Sequence, residues 1–354
     1  MYDLSLTCHV IFGENAVDGL PGLMAEHLGT TRAGKLLVVT SEIMAWNRPL
    51  VERIRSILFK GGVDMVVFDG IEPNPTLANI DTGKTKYLAT GCDAVMALGG
   101  GSPIDAAKII AHDCGATALV ALPTTAGTGS EVSGWSVISD SATLEKRSVF
   151  TRAPDMALLD PVLTVTMPPR LTFFTAVDAF SHALESYLSK SANCFSDSLS
   201  SKSIHLTAQN LAVAVTNGND MAARTGLLEA SLLSGIAMMS AGLGAGHAMA
   251  NTIGGVYHDS VHGWLVAQVL ENVWQFNREN RADKIKDIEV PVQNTFARIR
   301  ELATHLNLTR DTIKKQHLEL IVENSLKNIN MQTNPRDVKR EDIMVIVEAC
   351  FKCL

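Results

Sequence analysis

The chain has 354 residues, more than one hydrophobic core usually serves, so two domains of ordinary size are expected. Hydrophobic residues make up 46% and charged ones 19%, which excludes the composition of a disordered chain. A formal net charge of -7 argues against a phosphate backbone as partner, and no nucleic acid is expected.

The opening MYDLSLTCHVIFGENAVDGL lacks a basic region followed by a continuous apolar run, so it does not read as a secretory leader. No segment reaches the ~20 consecutive apolar residues of a membrane span, and the cytoplasm is the expected compartment. KLLVVTS (35–41), VDMVVFDG (63–70), DAVMALGG (93–100) and ATALVALP (116–123) read as strands. Between them NRPLVERIRSILFKGG (47–62), PTLANIDTGKTKYLATG (75–91) and PIDAAKIIAHDC (103–114) read as helices. This alternation predicts right-handed crossovers and an open, mostly parallel α/β domain.

Between Pro161 and Arg170 the texture changes, and long apolar periodicities follow: 203–216, 221–242, 262–276, 292–306 and 340–351 are each expected to be helical. The expected division is an α/β domain over 1–169 and an all-helical domain over 170–354. Six cysteines scattered along the chain suit reduced thiols, and the lone CxxC at Cys350 and Cys353 has no second ligand pair nearby.

Two small-residue loops follow neighbouring strands. In GGGSPIDAAK, Gly99, Gly100, Gly101 and Ser102 stand between a strand and a helix, where free N–H groups and the helix dipole favour a pyrophosphate. A tight turn with Ser102 as N-cap and Pro103 at the first helical position explains the same letters. PTTAGTGSEVS (123–133) brings Thr124, Thr125 and Thr128 to the corresponding end of the next strand. Together the loops point to a dinucleotide. The first strand ends at Ser41 where an acidic residue would hold a ribose 2′-hydroxyl, and Ser leaves room for a 2′-phosphate.

In DAFSHALESY, Asp178 and His182 are four apart on one helix face, which continues through Ala183, Leu184 and Ser186 without a charge run. GHAMANTIGGVYHDSVHG adds His247, His258 and His262. One carboxylate with several imidazoles and no thiolate suits a catalytic Fe2+ or Zn2+ site. Histidines satisfied inside a helical core are the plain alternative.

These segments, with LLDPVLTVTMPP and in this order, resemble the iron-containing (group III) alcohol dehydrogenase family; TNPRDVKREDI is similar to its closing helix. The resemblance implies a dinucleotide-binding domain, a helical domain and catalysis between them. It implies pyrophosphate contacts at Gly100, Gly101 and Ser102, with Asp105 in the same motif, and a nicotinamide side lined by Thr124, Thr125 and Thr128. Asn74 matches an Asn-Pro turn near the adenosine, and Lys146 a lysine contacting the cofactor. Asp178, His182, His247 and His262 match the metal ligands. The resemblance also implies a homodimer.

Three departures stand out. The family's HxxxH here reads His247 and Asn251, so the usual proton route is open to question, with His258 a candidate substitute. The interval from His247 to His262 is one residue longer than usual, and the following Gly263 favours His262 over His258 as ligand. NAD-preferring members carry Asp where Ser41 stands, so NADP is expected ahead of NAD. The expected reaction is interconversion of a small primary alcohol and its aldehyde. A lyase similar to dehydroquinate synthase, or a non-catalytic nucleotide- and metal-binding relative, are the rival expectations.

Overall fold

The computed structural model describes residues 6–29, 34–41, 48–140 and 145–353. In its first half β1 (His9–Phe12) and α1 (Leu20–Leu28) lead to β2 (Lys35–Ser41), α2 (Arg48–Lys60), β3 (Asp64–Ile71) and α3 (Leu77–Thr90). Then come β4 (Ala94–Gly99), α4 (Gly101–Asp113), β5 (Leu119–Pro123), the strands β6 (Trp135–Asp140) and β7 (Glu145–Phe150), and β8 (Met156–Leu159). Six strands form a single parallel sheet in the order β1-β8-β5-β4-β2-β3.

Period-two alternation turns Leu36 and Val38 of β2 toward Leu20 and Met24 of α1 and Ile54 and Leu58 of α2. Leu37 and Val39 face the other way, onto Ile80 of α3 and Ile104 and Ile110 of α4. With helices on both faces, these strands are apolar throughout, which is why they read as continuous runs. The strand order reverses between β2 and β4. Such a switch point opens a crevice beyond the carboxyl ends of the strands, here beside Ser41 and Gly99.

Four strands of this half escaped the sequence reading. β1 and β8 are only four residues long and gain their pairing partners from far along the chain. β6 and β7 form a separate antiparallel hairpin whose residues show no regular polar–apolar alternation, and β6 is held against α4, with Val137 N donating to Asp105.

The second half runs through α5 (Pro169–Leu188), α6 (Cys194–Thr216), α7 (Met221–Ala241), α8 (Ala245–Val256), α9 (His262–Asn277) and α10 (Glu289–His305). It closes with β9 (Thr312–Ile313), α11 (Lys315–Lys327), α12 (Arg340–Cys350) and β10 (Lys352–Cys353), the two short strands pairing in parallel. A single apolar cluster joins these helices, with Phe180, Leu211, Leu228, Met249, Val266, Trp274, Phe296 and Ile343 among its members. The central helix α5 is buried on nearly every side, Asp178, Ser181, His182, Glu185 and Ser186 included. Burying that many polar groups is costly unless they are paired or hold an ion.

Among the described residues no single helix is long and apolar enough to cross a membrane; α7 and α8 pass that test only as a pair, and they meet at 101°. Cys350 is buried and takes a hydrogen bond from Asn272 Nδ2 at 3.1 Å, so it packs the last helix; the CxxC thiols are both free.

Candidate active site

The glycine-rich turn begins the site. Helix α4 starts at Gly101, two residues before the position expected from Pro103, and Gly100 is its N-cap with no side-chain hydrogen bond. Ser102 therefore lies inside the first turn and caps nothing, leaving the N–H groups of Gly101 and Ser102 as open donors on the positive end of the helix. A Cβ on Gly100 would meet Thr125 Oγ1 at 3.0 Å, and one on Gly101 would meet Thr128 Cγ2 at 2.8 Å. The glycines thus let the two loops press together at the mouth of the crevice.

Beneath those loops lies a buried polar cluster. Asp105 accepts from Val137 N at 2.8 Å, pairs with Lys108 Nζ at 3.0 Å and takes a short hydrogen bond from Ser130 Oγ. Lys108, fully buried, also donates to the carbonyls of Ser130 and Ser133, both at 3.1 Å, and of Trp135. The carboxylate of Asp105 is engaged by these partners, so it braces the threonine loop and the β6 strand where Asp105 also lines the cleft. Glu131 in the same loop is 1% exposed, and burial pushes its carboxyl up to about 7 against the opposing charge of Lys108.

The carboxylate and histidines expected to hold a metal converge. Asp178 Oδ1 stands 3.7 Å from His182 Nε2, 3.5 Å from His247 Nε2 and 3.4 Å from His262 Nε2. Asp178, His247 and His262 each offer a donor atom within 4.8 Å of the others. Helix α5 supplies two of the four groups one turn apart, the first turn of α8 supplies His247, and α9 begins at His262. Asp178 Oδ1 and His247 Nε2 are buried and lack hydrogen-bond partners, a combination that a coordinated cation satisfies.

The electrostatics agree. Burial opposes the Asp178 charge, yet the imidazoles of His182, His262 and His247 outweigh it and hold the carboxyl well below its usual range. Burial lowers His182 to about 4 despite the neighbouring Asp178, leaving a neutral ring suited to coordination. Burial also opposes charge on His247, but Asp178 and Glu185 raise it to about 9, so a cation bound there would have to displace the proton from Nε2.

Glu185 is the residue that sequence reasoning missed. Its carboxylate accepts from Gly246 N at 2.7 Å, His247 N at 3.2 Å and His247 Nδ1 at 2.5 Å, so it caps α8 and fixes which imidazole nitrogen faces Asp178. The signal was present: Glu185 follows Asp178 by seven and His182 by three, on the same helix face.

A cleft of about 440 Å³ joins the two loops to the four-group cluster, and Asn74, Gly101, Ser102, Thr128 and Lys146 also line it. Asn74 sits on a left-handed turn (φ 59°) and donates from Nδ2 to the His258 carbonyl at 3.3 Å, tying the sheet side to the α8–α9 loop. Thr124 and Thr125 belong to the same loop as Thr128 but, like Ser41 at the end of β2, do not line the cleft. His258 is not brought into the site: its side chain is exposed on the loop after α8 and does not face the cleft, so it is badly placed to replace a histidine at 251. Asn251, one turn after His247, does line the cleft.

Residues 8–161 match the family model for iron-containing alcohol dehydrogenase, and residues 172–351 match the C-terminal model of the Fe-containing alcohol dehydrogenase family. The chain belongs to the iron-containing alcohol dehydrogenase family. The 1,3-propanediol dehydrogenase of Citrobacter freundii is 34% identical, with 99% of each chain covered, and the 1-propanol dehydrogenase PduQ of the same organism is 34% identical over 95% of this chain and 96% of its own. A solved 1,3-propanediol oxidoreductase superposes with a TM-score of 0.91 at 30% identity, over 99% of this chain and 100% of that one. This iron-containing alcohol dehydrogenase family member is accordingly an oxidoreductase of alcohols that uses a metal and a nicotinamide cofactor.

Proposed function

We propose that the protein interconverts a small primary alcohol and its aldehyde, with Asp178, His182, His247 and His262 holding Fe2+ and with NADP used ahead of NAD. The observation that carries the reading is the convergence of three imidazole Nε2 atoms on one orphaned carboxylate oxygen at the end of a cleft that begins at an uncapped helix N-terminus. One carboxylate and three neutral imidazoles suit Fe2+ and also accept Zn2+. When bound there, the cation supplies stabilisation for the charge that develops on the substrate oxygen.

The chain's own residues do the rest. The N–H groups of Gly101 and Ser102 would hold the pyrophosphate, and Thr128 would border the dinucleotide along the cleft. Glu185 keeps the proton of His247 on Nδ1, so Nε2 stays free to coordinate. Buried walls from α5 and α8 exclude water from the place where hydride passes between carbinol carbon and nicotinamide. Asn251 carries no titratable proton, so it orients a hydrogen-bonded partner without acting as an acid or base. Ser41, in place of an acidic residue at the end of β2, supports the NADP reading.

The test is absorbance at 340 nm with metal-loaded protein, both cofactors and a panel of short primary alcohols. Net cofactor reduction supports a dehydrogenase and rules out a lyase in which hydride transfer is transient. Tight metal and nucleotide binding with no turnover across the panel, or an Asp178→Ala protein that keeps both metal and activity, would overturn the proposal.

A further inference from the structure

Beside the catalytic cleft lies a second cavity of about 200 Å³, lined by Lys146, Asn251, Thr252, Asn324, Lys327 and Asn328. It shares Lys146 and Asn251 with the cleft, so the two spaces meet at those side chains. No carboxylate and no large apolar group lines it. Among the described residues Lys146 Nζ and the side-chain amides of Asn251 and Asn324 have no hydrogen-bond or ion-pair partner. Lys327 reaches Glu323 only at 4.0 Å, in a contact where both side chains are mostly exposed. Helix α8 makes room for the half-buried Lys146: a Cβ on Gly254 would stand 3.2 Å from its Nζ.

Two ammonium groups, one half-buried and one exposed, and two half-buried unpaired amides facing one small space form a site for an oxyanion, because a half-buried donor left unpaired is costly. We propose that this cavity is a subsite for the far end of the substrate, and that the preferred substrate is an alcohol or aldehyde whose other end is a carboxylate. The inference rests on the alcohol dehydrogenase reading of the adjoining cleft. The terminal CH2OH loses a hydride to the oxidised nicotinamide and a proton to solvent and becomes the aldehyde, while the carboxylate stays unchanged on Lys146 and Lys327. A neutral tail of the same length would place no negative charge in this space, leaving Lys146 with only Asp178 and Lys327 with only Glu323 outside it, which is the source of the selectivity.

The experiment compares terminal hydroxypropionate and hydroxybutyrate with the diols of equal length, measuring KM and kcat at 340 nm on metal-loaded protein. The acids are expected to show a KM at least about fivefold below the diols, the scale of one partly exposed ion pair. Lys327→Glu and Asn324→Asp, both outside the catalytic cleft, are expected to raise the KM of the acids about fivefold or more and to leave both constants of the diols unchanged. Equal KM values for acids and diols, or variants that shift both classes alike, would overturn the subsite while leaving the dehydrogenase reading intact. No turnover of either class would overturn both.

Discussion

Glu185→Gln tests how much of the metal centre depends on a group that never touches the metal. In the native protein one carboxylate accepts three hydrogen bonds, two from the buried backbone donors in the first turn of α8 and one from His247 Nδ1. A glutamine keeps the shape but replaces one acceptor oxygen with an NH2 group. If the amide nitrogen faces His247, Nδ1 must accept and the proton moves to Nε2, the atom aimed at Asp178 Oδ1 from 3.5 Å, which blocks coordination. If it faces Gly246, a backbone N–H of the first helical turn meets another donor and the cap is lost, at a cost of about 1 kcal/mol. Loss of such a supporting carboxylate weakens metal affinity roughly 10- to 100-fold, or about 1.4–2.8 kcal/mol. The assay is a chelator competition on metal-free protein, paired with kcat at saturating metal. Affinity within about threefold of the native value, a range below that expected for such a loss, with full turnover, would refute the role assigned to Glu185.

Three further outcomes are expected. Glu131 ionises at about 7 in the folded chain against a usual value of 4.5, so its contribution to stability is fully present below the lower value and is lost as pH rises through the upper one. Glu131→Gln should therefore flatten the fall in unfolding free energy between pH 5 and pH 8, on the order of 3 kcal/mol, as followed by denaturant titration; an unaltered pH slope would contradict the burial argument. Gly101→Ala drives a Cβ to 2.8 Å from Thr128 Cγ2 and should cost about 1–3 kcal/mol together with weaker cofactor binding. Adding Thr128→Ser, which removes that methyl, should restore most of the thermal stability, and a double variant no better than the single one would show that the clash is elsewhere. Asn251→His places a titratable ring in the cleft one turn after His247, and kcat against pH should then gain an ionisation at about 6–7 that the native protein lacks.

Much of this molecule was legible before folding, for identifiable reasons. Strands β2, β4 and β5 are buried on both faces, so KLLVVTS and its counterparts had to be apolar throughout, and the alternation of strands with helices gave away the parallel sheet. The spacing of Asp178 and His182 is a local property of α5, so that pair could be read as convergent from four positions of sequence. Strands β1 and β8 were not readable, because four-residue segments carry too little periodicity and their pairing partner lies far along the chain.

Other features belong to tertiary structure alone. The sequence by itself determined which donor types were available and which loops could approach a phosphate; it did not determine what each donor would be spent on. Asp105, in the cofactor motif, is taken up by Ser130, Val137 and Lys108, whereas Glu185, in no quoted role, directs His247. His258 and His262 are four positions apart, yet one is turned to solvent and the other into the cleft, because α9 begins only at His262 and in the preceding loop it is the His258 carbonyl, not its ring, that meets Asn74 at the cleft. Lys146 meets Asn251 and Lys327 only because β7 packs against α8 and α11 packs beside it. Hydrogen-bond partners and pocket walls are set by contacts across long sequence separations, and those exist only once the two halves have closed on each other.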